Sequence, residues 1–236
     1  MGDKLKVLEL FAGTRSIGRA FEERGHEVYS IDYDKVHKDI DWYVDLEFVT
    51  AENILEKFGK PDIIWASPDC TTYSIAAISH HRIKTKDDRA PKSDYAKKSD
   101  RVNKNVLKLI KDLQPKYYFI ENPRGAMRKM KFMSGIPRYT VTYCQYGDFR
   151  MKPTDIWTNH SNPKFREMCK NGQECHVPAP RGSKTGTQGI KCVIDRSRIP
   201  KELCDDIVLL SEDKEVTLKQ YSHINEKGDN HAKYQR

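Results

Sequence analysis

Apolar residues occur in short runs along this chain, and each run is closed by polar or turn-forming residues. Lys6 to Leu10 carries the compact apolar run of a buried strand. Ile17, Ala20 and Phe21 then share one helical face, and Gly25 stops that helix. Glu27 to Ile31 reads as a second strand ended by Asp32, and Trp42 to Leu46 as a third. Asp62 to Ala66 is a continuous apolar strand closed by Ser67 and Pro68. Val102, Val106, Leu107, Ile110 and Leu113 recur at the helical period, and Tyr117 to Ile120 forms a further strand ended by Glu121 and Asn122. Strands alternating with helices predict an α/β fold, a Rossmann-like and mostly parallel sheet with helices on both faces. Such sheets bind ligands beyond the carboxyl ends of their strands. Here those ends carry Phe11 to Gly13, Asp32, Asp45, Ser67 to Cys70 and Glu121 to Pro123.

The pattern changes after about Tyr139. Thr140 to Gln145 and Asp155 to Asn159 suggest two more strands, whereas Ser161 to Cys192 has neither a helical nor a strand period. The predicted organisation is therefore a ligand-binding domain over 1–158, a small irregular subdomain over 159–195, a helix over 196–210 that returns to the sheet, and a polar tail over 211–236.

Charge adds a candidate partner. The 236 residues include 42 Lys and Arg against 34 Asp and Glu, a formal net charge of +8, which favours phosphate-bearing partners. No run of 18 apolar residues exists, so no membrane partner is expected. The first ten residues enter a strand pattern without a signal-like apolar core, so the expected location is the cytoplasm. In that compartment the 6 cysteines are expected to be reduced, catalytic or metal-bound.

Two strand ends carry recognisable chemistry. The loop Phe11-Ala12-Gly13-Thr14-Arg15-Ser16-Ile17-Gly18 would bring backbone N–H groups and a helix N-terminus to a ligand. Asp32 follows Gly13 by 19 residues, close to the offset at which nucleotide folds place an acid on the ribose hydroxyls. A dinucleotide is one reading. The loop lacks the G-x-G-x-x-G spacing, so a nucleoside without pyrophosphate, such as S-adenosylmethionine, fits better. Cys70 follows the strand ending at Ala66, where a helix N-terminus or a basic neighbour would favour the thiolate. Glu121 on another strand end offers an acid to pair with it.

Taken together, LELFAGTRSIG, SPDCTTYS and FIENP, in that order, resemble the cofactor, Pro-Cys and Glu-Asn-Val motifs of the cytosine-5 DNA methyltransferases. RSRIPKELCDDI, Arg196 to Ile207, is similar to the final helix motif of that family. The likeness spans roughly residues 5–158 and 196–210 and implies a compact, divergent member of phage or prophage type. It implies an S-adenosylmethionine-dependent sheet with a small target-recognition subdomain. Cofactor contacts would come from Phe11, Ala12, Gly13, Thr14, Gly18, Asp32, Tyr33, Asp45, Leu46 and Ser67. Catalysis would rest on Cys70 and Glu121, with Arg150 and Lys152 from the basic strand entry Tyr146 to Lys152. The implied substrate is a cytosine flipped from double-stranded DNA, and the implied species is a monomer. Asp69 stands where the family usually has Pro, Thr71 where it has Gln, and Pro123 replaces the third residue of Glu-Asn-Val. A catalytically silent nucleic-acid-binding relative and an RNA cytosine-5 methyltransferase are the competing readings.

Two further segments matter. Ile75 to Asn105 holds nine Lys and Arg against four Asp, net +5 of the chain's +8, and reads as a phosphate-contacting loop with Lys84, Lys86 and Lys97 as DNA contacts. Arg181 and Lys184 in the irregular subdomain are candidates for reading the target. In that subdomain Cys169, Cys175 and His176 are candidate Zn²⁺ ligands, with His160 and Cys192 as possible additions and the fourth ligand open.

Overall fold

Strand β1 (Lys6–Leu10) lies inside a sheet, paired on both edges, and its side chains alternate between the two faces. The structure, a computed structural model, describes residues 3–84, 88–178, 190 and 192–216. β1 pairs in parallel with β2 (Glu27–Asp32) and with β4 (Ile63–Ala66), setting Val7 beside both Val28 and Ile63. The two-residue β3 (Trp42–Tyr43) closes one edge. On the other side β4 pairs with β7 (Tyr117–Pro123), and β7 pairs antiparallel with β9 (Pro153–Thr158), which in turn pairs with β8 (Arg138–Thr142). The order is β3-β2-β1-β4-β7-β9-β8, five parallel strands followed by an antiparallel hairpin. A separate short hairpin joins β5 (Arg82–Lys84) to β6 (Arg89–Pro91).

Each face of the sheet covers its own apolar cluster, because both sides of these strands are apolar. Leu8, Leu10, Ile64, Ile120 and Trp157 meet α2 (Ala51–Lys57) and α4 (Asp94–Leu113). Val7, Ile63, Trp65, Phe119 and Ile156 meet α1 (Ser16–Glu23) and α6 (Lys201–Ser211). A one-turn helix α3 (Ile78–His81) precedes β5, and α5 (Val193–Ser197) precedes α6.

Several elements differ from the sequence expectation. The third strand stops at Tyr43, and the chain turns into α2, whose start is fixed by a reciprocal cap: Asn53 N–H donates to Thr50 Oγ1 and Thr50 N–H to Asn53 Oδ1. Helix α4 begins eight residues before Val102, and its first turns bury Ala96 and the polar Ser99, Asp100 and Asn103 rather than large apolar groups. The basic run read as a loop is thus largely the β5–β6 hairpin and the first half of α4. Arg82, one of its charges, is buried: it donates to Asp100 Oδ1 at 2.7 Å and stacks 4.0 Å over the Tyr73 ring. The second half of the expected Thr140–Gln145 strand is a 3-10 turn, Tyr143–Tyr146. The returning helix is two helices, since Pro200 holds an extended conformation between them.

The start of the expected polar tail is docked. Ser211 is fully buried, and Glu212 accepts from Arg24 Nη2 at 2.6 Å with His26 beside it. These donors hold the Glu212 carboxyl down at about 2. Residues 217–236 lie outside the described residues. Among the described residues no helix is long and apolar enough to cross a membrane.

Candidate active site

The carboxyl ends of β1, β4 and β7 open onto one cleft of about 740 Å³, within the range of small-molecule sites. Phe11, Ala12, Gly13 and Thr14 form one wall, Ser67 and Cys70 the floor, and Glu121, Lys152 and Arg196 the far side. Three residues that bear side chains hold left-handed backbone here: Phe11 (φ 56°), Arg15 (φ 54°) and Lys152 (φ 28°). Such conformations persist where surrounding contacts enforce them, and they cluster at functional sites.

The β1–α1 loop is organised by carboxylates. Gly13, itself left-handed, donates its N–H to Asp32 Oδ2 at 2.9 Å, while Asp34 N–H donates to Oδ1 at 2.8 Å. Asp32 therefore shapes the loop from the end of β2. Glu9, in the middle of β1, accepts the Gly18 N–H at 2.9 Å. A Cβ at Gly18 would lie 2.3 Å from Glu9 Oε2, so the close approach requires glycine. Glu9 was read only as part of a strand, yet it lines the cleft and is 2% exposed. Its Oε2 faces Arg15 Nε across 3.7 Å and has no hydrogen-bond partner among the described residues. Burial raises its carboxyl to about 7, against the Gly18 N–H and Arg15, which favour the ionised form.

Around Cys70 the loop is held by its neighbours. Asp69 Oδ1 accepts from the Thr71 N–H at 3.2 Å and the Thr71 hydroxyl at 2.7 Å, starting the 3-10 turn Thr71–Tyr73, and Tyr95 donates to Asp69 Oδ2 at 2.5 Å. Asp69 thus caps the turn that presents the thiol. Asn122 Nδ2 donates to Pro68 O at 2.8 Å, tying β7 to the same loop. Burial, and then the charges of Asp69 and Glu121, push the Cys70 thiol up to about 11, with Lys152 pulling the other way. The basic neighbour expected from the sequence is present, but the resting thiol is protonated.

Glu121 is buried and receives the Tyr143 hydroxyl at 3.2 Å. Burial raises its carboxyl, and Lys152 and Tyr143 only partly offset that. Lys152 donates to Arg196 O at 3.1 Å and lies 4.4 Å over the Tyr143 ring, and burial lowers its ammonium. Tyr143 was not singled out by the sequence, although it sits between the acid and the lysine.

Other sequence candidates fall elsewhere. Arg150 does not line the cleft; its guanidinium is buried against Asp148, and Nη1 donates to Arg196 O at 3.2 Å. Gly18 acts through Glu9. Tyr33 is 67% exposed beyond β2, and Asp45, followed by buried Leu46, pairs with Lys98 at 2.5 Å. Lys84 is exposed at the end of β5, and Lys97 pairs with Asp94 on the surface of α4 at 2.9 Å. Lys86, Arg181 and Lys184 lie outside the described residues.

The Cys/His candidates gather apart from the cleft. Cys169, Cys175 and His176 are buried together with Cys144, which the sequence reading passed over; one ligand atom from each of the four lies within 4.8 Å of the others. His160 instead packs its ring 4.6 Å from that of Tyr117, and Cys192 is exposed.

Comparison with known proteins bears on this geometry. The family model for C-5 cytosine-specific DNA methylase matches residues 5–133, more than half of the chain. A probable DNA (cytosine-5)-methyltransferase of Frog virus 3 (isolate Goorha) is 28% identical over 219 residues, covering 86% of this chain and 99% of that protein. Among solved structures, the methyltransferase EhMeth of Entamoeba histolytica superposes with a TM-score of 0.50 at 15% identity, over 71% of this chain and 57% of that one. A putative DNA modification methyltransferase encoded within an E. coli prophage gives a TM-score of 0.49 at 16% identity, over 66% of this chain and 46% of that one. The chain spans about half the length of these two solved proteins, and the likeness to them is one of fold.

Proposed function

Since the chain belongs to the C-5 cytosine-specific DNA methylase family, we propose that it moves a methyl group from S-adenosylmethionine to C5 of a cytosine displaced from DNA, through a covalent bond between Cys70 and C6. The observation that carries this reading is the meeting of Cys70, Glu121 and Lys152 with the Phe11–Thr14 loop in one cleft. S-adenosylmethionine is the cofactor of this family, and the residues fit it. The positive-φ loop at Phe11 and Gly13 opens backbone to a ligand, Asp32 ends β2 beside it, and Glu9, whose carboxylate suits a cationic group, is part of the cleft wall. When bound, the cofactor supplies an electrophilic methyl group.

The chain's own groups do the remaining work. Cys70 gives up its proton to solvent as the base enters, its thiolate favoured by the Lys152 charge, and its sulfur bonds to C6. The C5–C6 π electrons move toward C5 as Glu121, whose carboxyl burial biases toward the protonated form, donates to N3. C5 then accepts the methyl group. Loss of the C5 proton to solvent and breakage of the S–C6 bond restore the double bond, and N3 returns its proton to Glu121. Tyr143 and Lys152 position the acid. We assign target contact to the segment 159–195 and phosphate contact to the β5–β6 hairpin and α4, with Lys84 and Lys97 as exposed cations. The active species is a monomer.

The test is trapping on DNA that carries 5-fluorocytosine, in which the C5 fluorine blocks elimination. The wild-type chain should form a denaturant-resistant complex that depends on S-adenosylmethionine, and Cys70→Ser should form none while keeping its melting temperature. Equal trapping by both proteins would remove Cys70 from the chemistry. Trapping on RNA alone would move the substrate class, and no trapping on either, with the cofactor bound, would favour the silent relative.

A further inference from the structure

We propose that Cys144, Cys169, Cys175 and His176 bind one structural zinc ion that fastens the segment 159–178 to the end of the β8 strand. All four side chains are buried, at 0%, 3%, 3% and 3% exposure respectively. Three of them come from a stretch in which, among the described residues, there is neither helix nor strand, while Cys144 comes from the 3-10 turn that follows β8.

The spacing suits a tetrahedral ion. Zn–S bonds of about 2.3 Å and a Zn–N bond of about 2.0–2.1 Å imply edges near 3.8 Å between sulfurs and near 3.6 Å between sulfur and nitrogen. Cys175 Sγ lies 3.6 Å from Cys144 Sγ, and His176 Nδ1 lies 3.6 Å from the sulfurs of both Cys169 and Cys175. Cys144 Sγ and Cys169 Sγ are 3.0 Å apart, closer than a tetrahedral edge and far beyond the roughly 2.05 Å of a disulfide. Donor identity points the same way: three thiolates and an imidazole are a recurring closed zinc set, whereas hard cations take oxygen.

The surroundings explain why an ion is needed. Among the described residues the three cysteines, with Met151 packed against them, make up the third apolar cluster, too little to fix a segment of this length. The segment is already drawn to the sheet by the Cys169 N–H donating to Thr142 Oγ1 at 3.0 Å and the Val177 N–H donating to Phe149 O at 2.9 Å. Without an ion, three sulfurs and an imidazole nitrogen crowd together within 4.8 Å of one another. Zn²⁺ replaces three thiol protons, which leave to solvent, and four directional bonds replace weak S–H contacts. The ion has no open position for substrate. Its consequence for chemistry is positional, because Cys144 directly follows Tyr143, the donor to Glu121.

The full chain, purified without chelator or a histidine tag, should carry one zinc per molecule by elemental analysis. Cys144→Ser should lose most of it, whereas His160→Ala and Cys192→Ser should keep it. Should Cys144→Ser fail to fold, cobalt exchange into the wild-type chain decides the matter: a tetrahedral, thiolate-rich site gives strong thiolate-to-cobalt charge-transfer absorption. Absence of zinc, with no uptake by reduced protein and no such absorption, would overturn the proposal. So would a Cys144–Cys169 disulfide found by peptide mapping of native protein, or zinc retained in full by Cys144→Ser.

Discussion

The seven-stranded sheet and the segment 159–178 solve the same problem with opposite means. The sheet buries apolar groups on both faces, so its order is spread over many non-directional contacts. The segment buries two cysteines, a histidine and Arg166, and its order rests on a few directional ones. Arg166 illustrates this. It donates to Gln145 O at 2.8 Å, pairs with Glu202 and with Asp206, and lies 4.6 Å over the Tyr146 ring. Spread contacts fail gradually and together. Directional ones fail singly and locally, which leaves such a segment free to vary in sequence as long as its few anchors remain.

That contrast can be broken or sharpened by substitution. The largest effect is expected in the sheet. Phe119→Ala should cost roughly 3–5 kcal/mol, as deletion of a fully buried aromatic ring does, and denaturant unfolding should show one transition shifted as a whole. A smaller effect is expected for Arg166→Ala, about 1–3 kcal/mol from the polar partners left unsatisfied. Hydrogen exchange should then rise across 159–178 while β1 and β4 keep their protection. Equal loss of protection in both regions would mean one cooperative unit and end the contrast.

The sheet was legible because its strands are short apolar runs that end in polar residues, and such runs mark buried parallel strands with little ambiguity. The same property located Cys70, Glu121, Asp32 and the Phe11–Gly18 loop at strand ends. What escaped had a physical reason in each case. Helix α2 is only seven residues long, and its start is set by a Thr–Asn cap rather than by periodicity. The first half of α4 buries Ser99, Asp100 and Asn103, so it looked solvated, and Arg82 looked like a surface charge because its partner Asp100 lies 18 residues away. Cys144 stands 25 residues before Cys169, in a strand-like stretch where a cysteine resembles an ordinary core residue. Glu9 hid in the same way: an acid among strand residues gives no hint in sequence that its fellow strand residues bury it. The expected role of Arg150 came from a motif position, whereas its direction is set by Asp148 two residues before it.

Glu9 also carries a thermodynamic consequence. Its carboxyl is raised from 4.5 to about 7, so the fold prefers the protonated form, and the stability that preference gives is present at acid pH and lost as pH climbs through about 7. A cationic ligand in the cleft reverses the preference. Capture of S-adenosylmethionine near or below neutrality is then an exchange, in which the ligand's positive charge enters and a proton leaves. Titration calorimetry around pH 6, in two buffers of different ionisation heat, should give different apparent enthalpies, the difference should vanish at about pH 9, and Glu9→Gln should abolish it at pH 6. Buffer-independent heats in the wild-type chain would mean that the carboxyl keeps its proton beside the bound cation. With the exchange in place, methyl-donor affinity tracks the acidity of the surroundings.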